Sequence, residues 1–425
     1  MLTEELLHFV WKFRLYRSTG LATTTGESIE VINPGTHNTH AGADFTDAKI
    51  KIGGTLWVGN IEIHPAADDW FAHGHHTDAG YNNTILHVVY SPGKKTAQKQ
   101  NGTTLPVLVL NNAIPQELLS RYAQLLLQKK SVPCSALISQ ADKFTIQQTI
   151  ERAVIERLQQ KVQQIETRLQ RYNNDWEQIL FIQLARYLGA SVNKDPMQWL
   201  AEKILVKTMA KHAGSLLQIE AMLFGTAGLL HPPYDDEYAR TLQKEFMYLK
   251  RLHRLDALQG TEWKYLRLRP ANFPTLRIAQ LAALLQTQNF SFSKILDCTS
   301  VAEIENRLQP QVSEYWKTHY QFDKPSKQVR SSLGESMKQV IIINAIVPVL
   351  FAYGKYKQND TYCDRALQLL EDCTPEGNSI IKQWNALGIS TTNSYQTQGL
   401  LQLKNEHCDK FRCLQCGIGL KILKQ

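Results

Sequence analysis

Cysteine is scarce in this chain. Seven in 425 residues is an odd number and too few for the disulfide framework of a small secreted domain. Long apolar runs are missing too: the nearest, VIIINAIVPVLFAYG at 340–354, is too short to span a bilayer and contains Pro348. The opening residues, MLTEELLHFVWKFRLYRSTG, lack the basic n-region, apolar h-region and small-residue cleavage site of a secretory leader. No internal repeat and no low-complexity tract occurs, which excludes a solenoid or a disordered tail. These absences give the expectation of a soluble, cytoplasmic protein without a membrane partner. Charge is modest at 20% of residues, and the net +8 leans only mildly toward a polyanionic partner.

What is present divides into two kinds of pattern. TEELLHFVWKFRLY places Leu6, Leu7, Val10, Trp11, Phe13 and Leu15 at helical spacing behind Thr3 as N-cap. Strand-like runs follow, separated by Gly, Pro and Asn: SIEVI, DAKIKI, TLWVGNIEIH, TILHVVY and LPVLVL. DWFAHGHHTDAGYNN, between the third and fourth, suits a helix or a helix-and-loop crossover. The order helix, three strands, helix, strand predicts an α/β module over residues 1–112. From 113 the period becomes helical. Ile146, Ile150, Val154, Leu158, Val162, Ile165 and Leu169 form one apolar stripe, and further helices are expected at 176–188, 197–212, 235–255, 274–287, 300–308, 335–353 and 361–373. A mainly α-helical domain over 113–400 and a Cys-rich tail over 401–425 complete the expected organisation.

Chemistry gathers in GNIEIHPAADDWFAHGHHTDAGY, residues 59–81. Side chains alternate faces along a strand, so Glu62 and His64 point the same way. Folding AGADFTDAKIKIGGTLWVGNIEIH about Gly53-Gly54 brings Asp44 alongside them. An acid on one strand beside an acid-x-base pair on the next is a geometry for holding a hard divalent cation and placing water next to it.

On these residues the module resembles the PD-(D/E)XK nuclease superfamily, whose core has the same helix, three strands, helix, strand order. The resemblance implies Mg²⁺ or Mn²⁺ on Asp44 and Glu62, with His64 in the lysine position and Glu5 (or Glu4) as an additional acid. It departs at Ala43, where the superfamily has Pro, and at His64, since a neutral imidazole carries less positive charge than lysine. The whole chain also resembles an uncharacterised bacterial family, a domain of unknown function marked by AGADF, GNIEIH, the DW…HGHH…D…Y stretch, LHVVY and C-terminal cysteines; that resemblance implies no activity.

Seven of the thirteen histidines fall between 37 and 87, and imidazole suits borderline ions such as zinc or manganese. HGHHTD departs from the HxHxDH stretch of metallo-β-lactamase-type hydrolases, because Thr77 stands where its Asp belongs and Asp78 where its last His belongs. His73, His75, Asp78 and Tyr81 are candidates for the wall of the Glu62 cleft, whereas His87, inside TILHVVY, reads as a core histidine. NPGTHNTHAG, residues 33–42, is a Gly- and Asn-rich loop that matches no P-loop.

Near the C-terminus His407, Cys408, Cys413 and Cys416 have metal-ligand spacing. Tetrahedral zinc or an iron–sulfur cluster needs four ligands, so the fourth is His407 or a distant residue such as Cys134, Cys363 or Cys373. The tail is distantly similar to the [4Fe–4S] segments of some PD-(D/E)XK nucleases and DNA glycosylases, with a different spacing. Residues 244–281 interleave basic and aromatic side chains, and RLRPANFPTLR presents Arg267, Arg269 and Arg277 as candidate nucleic-acid contacts.

The expected function is divalent-metal-dependent cleavage of nucleic acid, DNA or RNA. Its rivals are a non-catalytic nucleic-acid-binding protein that kept the nuclease fold, and a zinc-dependent hydrolase of a small substrate built on the histidine cluster.

Overall fold

A computed structural model describes residues 2–128, 131–287 and 290–425. Residues 1–150 and 403–425 form one compact unit, and residues 151–402 form a second. The boundary between these units lies inside a helix, and residues 403–425 belong to the first of them. The change of period at 113 marks where the strands of the large sheet stop, while the helical residues up to 150 still belong to the first unit.

In that unit, helix α1 (Glu4–Lys12) starts on Thr3, whose hydroxyl accepts from the Leu6 N–H at 3.2 Å, and buries Leu6, Leu7, Val10 and Trp11. Six strands make a mixed sheet: β1 (Ile29–Asn33), β2 (Thr36–His37), β3 (Phe45–Ile52), β4 (Thr55–Ala66), β5 (Thr84–Ser91) and β6 (Val107–Val109). Their order is β1-β3-β4-β5-β6, with β2 paired on β3; β3 is antiparallel to β1 and β4, while β4, β5 and β6 run parallel. The β4–β5 crossover is a one-turn helix α2 (Asp69–Ala72) followed by two short 3-10 turns. It is the helix-and-loop alternative, since Gly74 and Gly80 interrupt any longer helix. Helix α3 (Gln116–Leu127) follows, and the long helix α4 (Lys143–Arg171) carries the chain into the second unit.

The second unit is helical around one large apolar core that includes the buried α4 residues Val154, Leu158, Val162, Ile165 and Leu169. Expected helices form at Trp176–Leu188, Glu237–His253, Pro274–Gln286, Val301–Arg307 and Asp360–Asp372. The expected 197–212 helix is two, Lys194–Lys203 and Val206–Ala210, separated where Gln178 binds the intervening backbone. Leu216–Thr226, buried nearly all round, has no amphipathic stripe by which a periodicity search would find it. The apolar run at 340–354 belongs to a longer helix, Glu335–Lys357, which has the length and composition to cross a membrane; 67% of its apolar window is buried within the protein. Residues 342–346 form a π turn just before Pro348, which has no N–H to give to a preceding carbonyl.

Candidate metal centre

The position of Asp44 is set by a backbone irregularity. From the Gly53-Gly54 turn, at φ 57° and 89°, β3 and β4 pair as Ile52 with Thr55 and so on to Ala48 with Gly59. Continued unbroken, that register would put Asp44 opposite Ile63, facing away from Glu62. Instead one extra residue lies between Phe45 and Ala48, Asp47 takes a left-handed φ of 57°, and Phe45 pairs with Ile61. This β-bulge turns Asp44 onto the Glu62 face. The Asp44 N–H donates to Glu62 Oε2 at 3.1 Å, and Asp44 Oδ2 accepts from the Ile63 N–H at 2.9 Å.

Two groups of donors flank this pair. Glu4, His8 and Asp44 form one and His64, His73 and His75 the other; in each, one ligand atom per residue lies within 4.8 Å of the others. Glu62 stands between them, with Oε1 3.1 Å from His75 Nε2 and 3.5 Å from His64 Nε2, and Oε2 on Asp44. His8 reaches Asp44 from α1, its Nε2 3.2 Å from Oδ2 and 3.9 Å from Glu4 Oε1 one helical turn earlier. Gly74, at φ 76°, lets the chain reverse between His73 and His75 so that both rings meet His64. Trp70 lies beneath, with ring centres 5.3 Å from His75 and 5.4 Å from His87.

Burial sets the electrostatics. The His64 imidazole is pushed down to about 3, first by burial and then by the neighbouring His87, His73 and His75; burial likewise takes His87 to about 3. Both are neutral at physiological pH. Burial also lowers the His8 value, but Asp44, Glu4 and Glu62 outweigh it and the net shift is upward. The Glu62 carboxyl is raised, chiefly by burial, with His75 opposing and Asp44 adding. Among the described residues, the ion-pair partners of Asp44 and Glu62 are all histidines.

The donor set fits a divalent ion. His8 Nε2 and His75 Nε2 are buried, and although each lies close to a carboxylate oxygen, neither is aligned in a hydrogen bond. His64 Nε2 and His73 Nδ1 face each other at 3.1 Å, about the separation of two imidazoles on one ion at roughly 2.1 Å from each. His64 Nδ1 lies 2.9 Å from His87 Nε2, the kind of outer contact that fixes a ligating histidine's tautomer and leaves its other nitrogen free to bind.

Of the residues singled out in the sequence, Asp44, Glu62, His64, His73 and His75 come together. Tyr81 joins them, its ring centre 3.9 Å from that of His75 at a 31° tilt and its hydroxyl raised to about 12 by burial and by Glu62, Asp44 and Asp78. Asp78 does not: it is exposed and caps the Gly80 N–H. Glu5 faces away and accepts from Gln415 Nε2 at 3.2 Å, so Glu4 supplies the helix's acid. His8 was missed, although its place four residues after Glu4 is a readable signal. His87 is a buried residue as expected, yet it pairs with Glu62 across the strands and contacts His64.

The other candidates lie elsewhere. Arg267 and Arg269 are exposed, but Arg277 is buried with its guanidinium on Gln280 and Asn272 at 2.8 and 2.7 Å, so the three arginines form no common surface. Trp263, Tyr265 and Phe273 from the same stretch are wholly or partly buried, leaving Tyr248 as its exposed aromatic. Cys363 and Cys373 belong to the core of the helical unit.

A family model described as "Protein of unknown function (DUF2851)" matches residues 4–379, and the chain belongs to that family. The match takes in every residue of the histidine and carboxylate cluster and stops short of the C-terminal cysteines. No curated protein and no solved structure matches the chain.

Proposed function

Membership in this family brings no activity with it, and from the site we propose that the protein is a divalent-metal-dependent hydrolase of nucleic-acid phosphodiesters. The observation that carries this reading is Glu62, a buried carboxylate with one oxygen toward an imidazole group and the other toward Asp44. Asp44, Glu4 and His8 would hold one ion, His64, His73 and His75 a second, with Glu62 between. The carboxylate-rich group suits Mg²⁺ or Mn²⁺, and the imidazole group Mn²⁺ or Zn²⁺. Bound there, such an ion supplies a Lewis acid for a phosphoryl oxygen and a water made acidic enough to attack near neutral pH.

The chain's own groups complete the task. Neutral His64 offers a nitrogen lone pair where the PD-(D/E)XK superfamily has a charged lysine. Tyr81 keeps its proton and donates to a substrate oxygen. His73, exposed while its two partners are buried, marks the open side by which substrate enters. Phosphodiesters are favoured by the resemblance to the nuclease core: β3 antiparallel to β4, β4 parallel to β5, and the two acids side by side on β3 and β4. The net charge of +8 agrees with a polyanionic substrate.

The test is digestion of labelled single- and double-stranded DNA and RNA in Mg²⁺, Mn²⁺ or Zn²⁺ by wild type and Glu62→Ala. The variant is expected to lose cleavage by about 10²–10³-fold or more. Equal metal-dependent cleavage by both proteins would sink the assignment. The three-imidazole group also favours a second reading, a zinc hydrolase of a small substrate; esterase or amidase activity with Zn²⁺, lost in His75→Ala and without action on nucleic acid, would select it.

A further inference from the structure

The C-terminal cysteines lie in the first unit, where a fourth joins them from far away in sequence. Cys134 sits in a tight turn, with the Leu137 N–H on its carbonyl at 2.9 Å, and is buried. Residues 138–142 then receive the closing helix Gly417–Lys424: Lys421 pairs with Asp142 at 3.0 Å, and Gln425 donates to the Gln140 carbonyl at 2.6 Å. Between Cys408 and Cys413 the chain reverses through Phe411, at φ 51°, with the Arg412 N–H on the His407 carbonyl at 2.8 Å. Cys416 caps the closing helix, and its carbonyl accepts from the Leu420 N–H at 2.8 Å. Gly419 lets that helix lie against Cys413, whose carbonyl oxygen would be only 2.2 Å from a Cβ there.

This packing of the closing helix on residues 138–142 brings Cys134 into the neighbourhood of the three C-terminal cysteines. The Cys408 thiol feels Cys134, Cys416 and Cys413, and the Cys134 thiol feels Cys416 and Cys413, each after the larger effect of burial. Lys404 is a positive group acting on Cys408 in the opposite sense. None of the seven cysteines is in a disulfide.

We propose that Cys134, Cys408, Cys413 and Cys416 are the four thiolate ligands of an iron–sulfur cluster, with Cys134, and not His407, completing the set. Four thiolates are the donor set of such clusters. A single zinc, with Zn–S of about 2.3 Å, would hold all four sulfurs roughly 3.8 Å apart. Among the described residues, no group of three donors within 4.8 Å contains a cysteine, so the thiols are spread more widely than one zinc requires. Each thiol gives up its proton on ligation, and the cluster ties the tail to the 131–142 segment beside α1, where Gln415 meets Glu5.

The test is iron, zinc and acid-labile sulfide analysis of the full chain purified without oxygen, with a visible spectrum before and after dithionite. Iron and sulfide in equal amounts, two or four per chain, with absorption that bleaches on reduction are expected, the stoichiometry telling [2Fe–2S] from [4Fe–4S]. Cys134→Ser should lose at least half of the iron, while His407→Ala and Cys363→Ser keep it. One zinc per chain without iron, no bound metal, or full iron in Cys134→Ser would each overturn the proposal. Should Cys134→Ser fail to fold, wild type decides: as a chelator strips the iron, these four thiols should become alkylated as one set, and alkylation of three with Cys134 lagging would overturn it.

Discussion

In the helical unit the side chain of Gln178 is fully buried and fully used. Its Nε2 donates to the Ala201 and Ile204 carbonyls at 3.0 and 3.2 Å, and its Oε1 accepts from the Val206 N–H at 2.7 Å. In the sheet unit His8 and His75 turn buried Nε2 atoms toward carboxylates without completing a hydrogen bond. The Gln178 network closes within the protein, whereas the cluster around Glu62 leaves nitrogen and oxygen atoms converging on shared points. A closed network specifies structure; a convergent, incomplete one is what the proposed ion would complete.

The largest effect expected on that contrast comes from the closed side. Gln178→Ala would strand three backbone groups at once, each at about 1–3 kcal/mol, so a loss near 4 kcal/mol is expected in urea unfolding. The loss should be the same with and without divalent metal. A metal-dependent loss, or one under 1 kcal/mol, would break the distinction between the two networks.

A second closed network in the helical unit adds pH to the comparison. Glu220 is buried, its carboxylate accepts from Tyr238 and from Ser313, and burial pushes its value up to about 7 despite those hydrogen bonds. The unfolded carboxyl titrates near 4.5, so between these values the folded protein holds the proton more tightly. The group's contribution to stability is thus complete below about 4.5 and disappears as pH rises through 7, a decline of roughly 3 kcal/mol. Unfolding free energies measured from pH 4 to 8 should show this fall in wild type and a flatter profile in Glu220→Gln. Parallel profiles would mean that the carboxyl is not held protonated.

Much of the sheet unit was legible in the sequence because its signals are local. Strand alternation put Glu62 and His64 on one face, Gly53-Gly54 fixed the hairpin, and the DW…HGHH stretch announced the histidines. What escaped depended on shape. Nothing in AGADFTDAKIKI declares the bulge at Asp47, so Asp44 beside Glu62 was right for a hairpin whose unbroken register would have separated them. Glu5 was preferred to Glu4 because the helix's rotation about its axis follows from packing that periodicity gives only coarsely. Arg277 was grouped with Arg267 and Arg269 because basic and aromatic residues interleave along RLRPANFPTLR, whereas it lies on the first turn of a buried helix that folds it inward. Cys134 lies far from the other three cysteines in sequence, and only the folded tail brings them together.

The smallest expected effect probes how the open network is held. His87 is fully buried on β5 and touches the cluster through the 2.9 Å contact between its Nε2 and His64 Nδ1. If that contact fixes the tautomer of His64, replacing the ring with one of similar size and no nitrogen should leave folding intact and loosen metal. His87→Phe is therefore expected to keep the wild-type circular dichroism spectrum while weakening Zn²⁺ or Mn²⁺ affinity 10–100-fold by calorimetry, about 1.4–2.7 kcal/mol. Unchanged affinity would assign His87 to packing against Trp70 alone. A weakened site in an intact fold would instead extend the metal centre one residue outward, into a strand whose apolar sequence gave it the look of pure core.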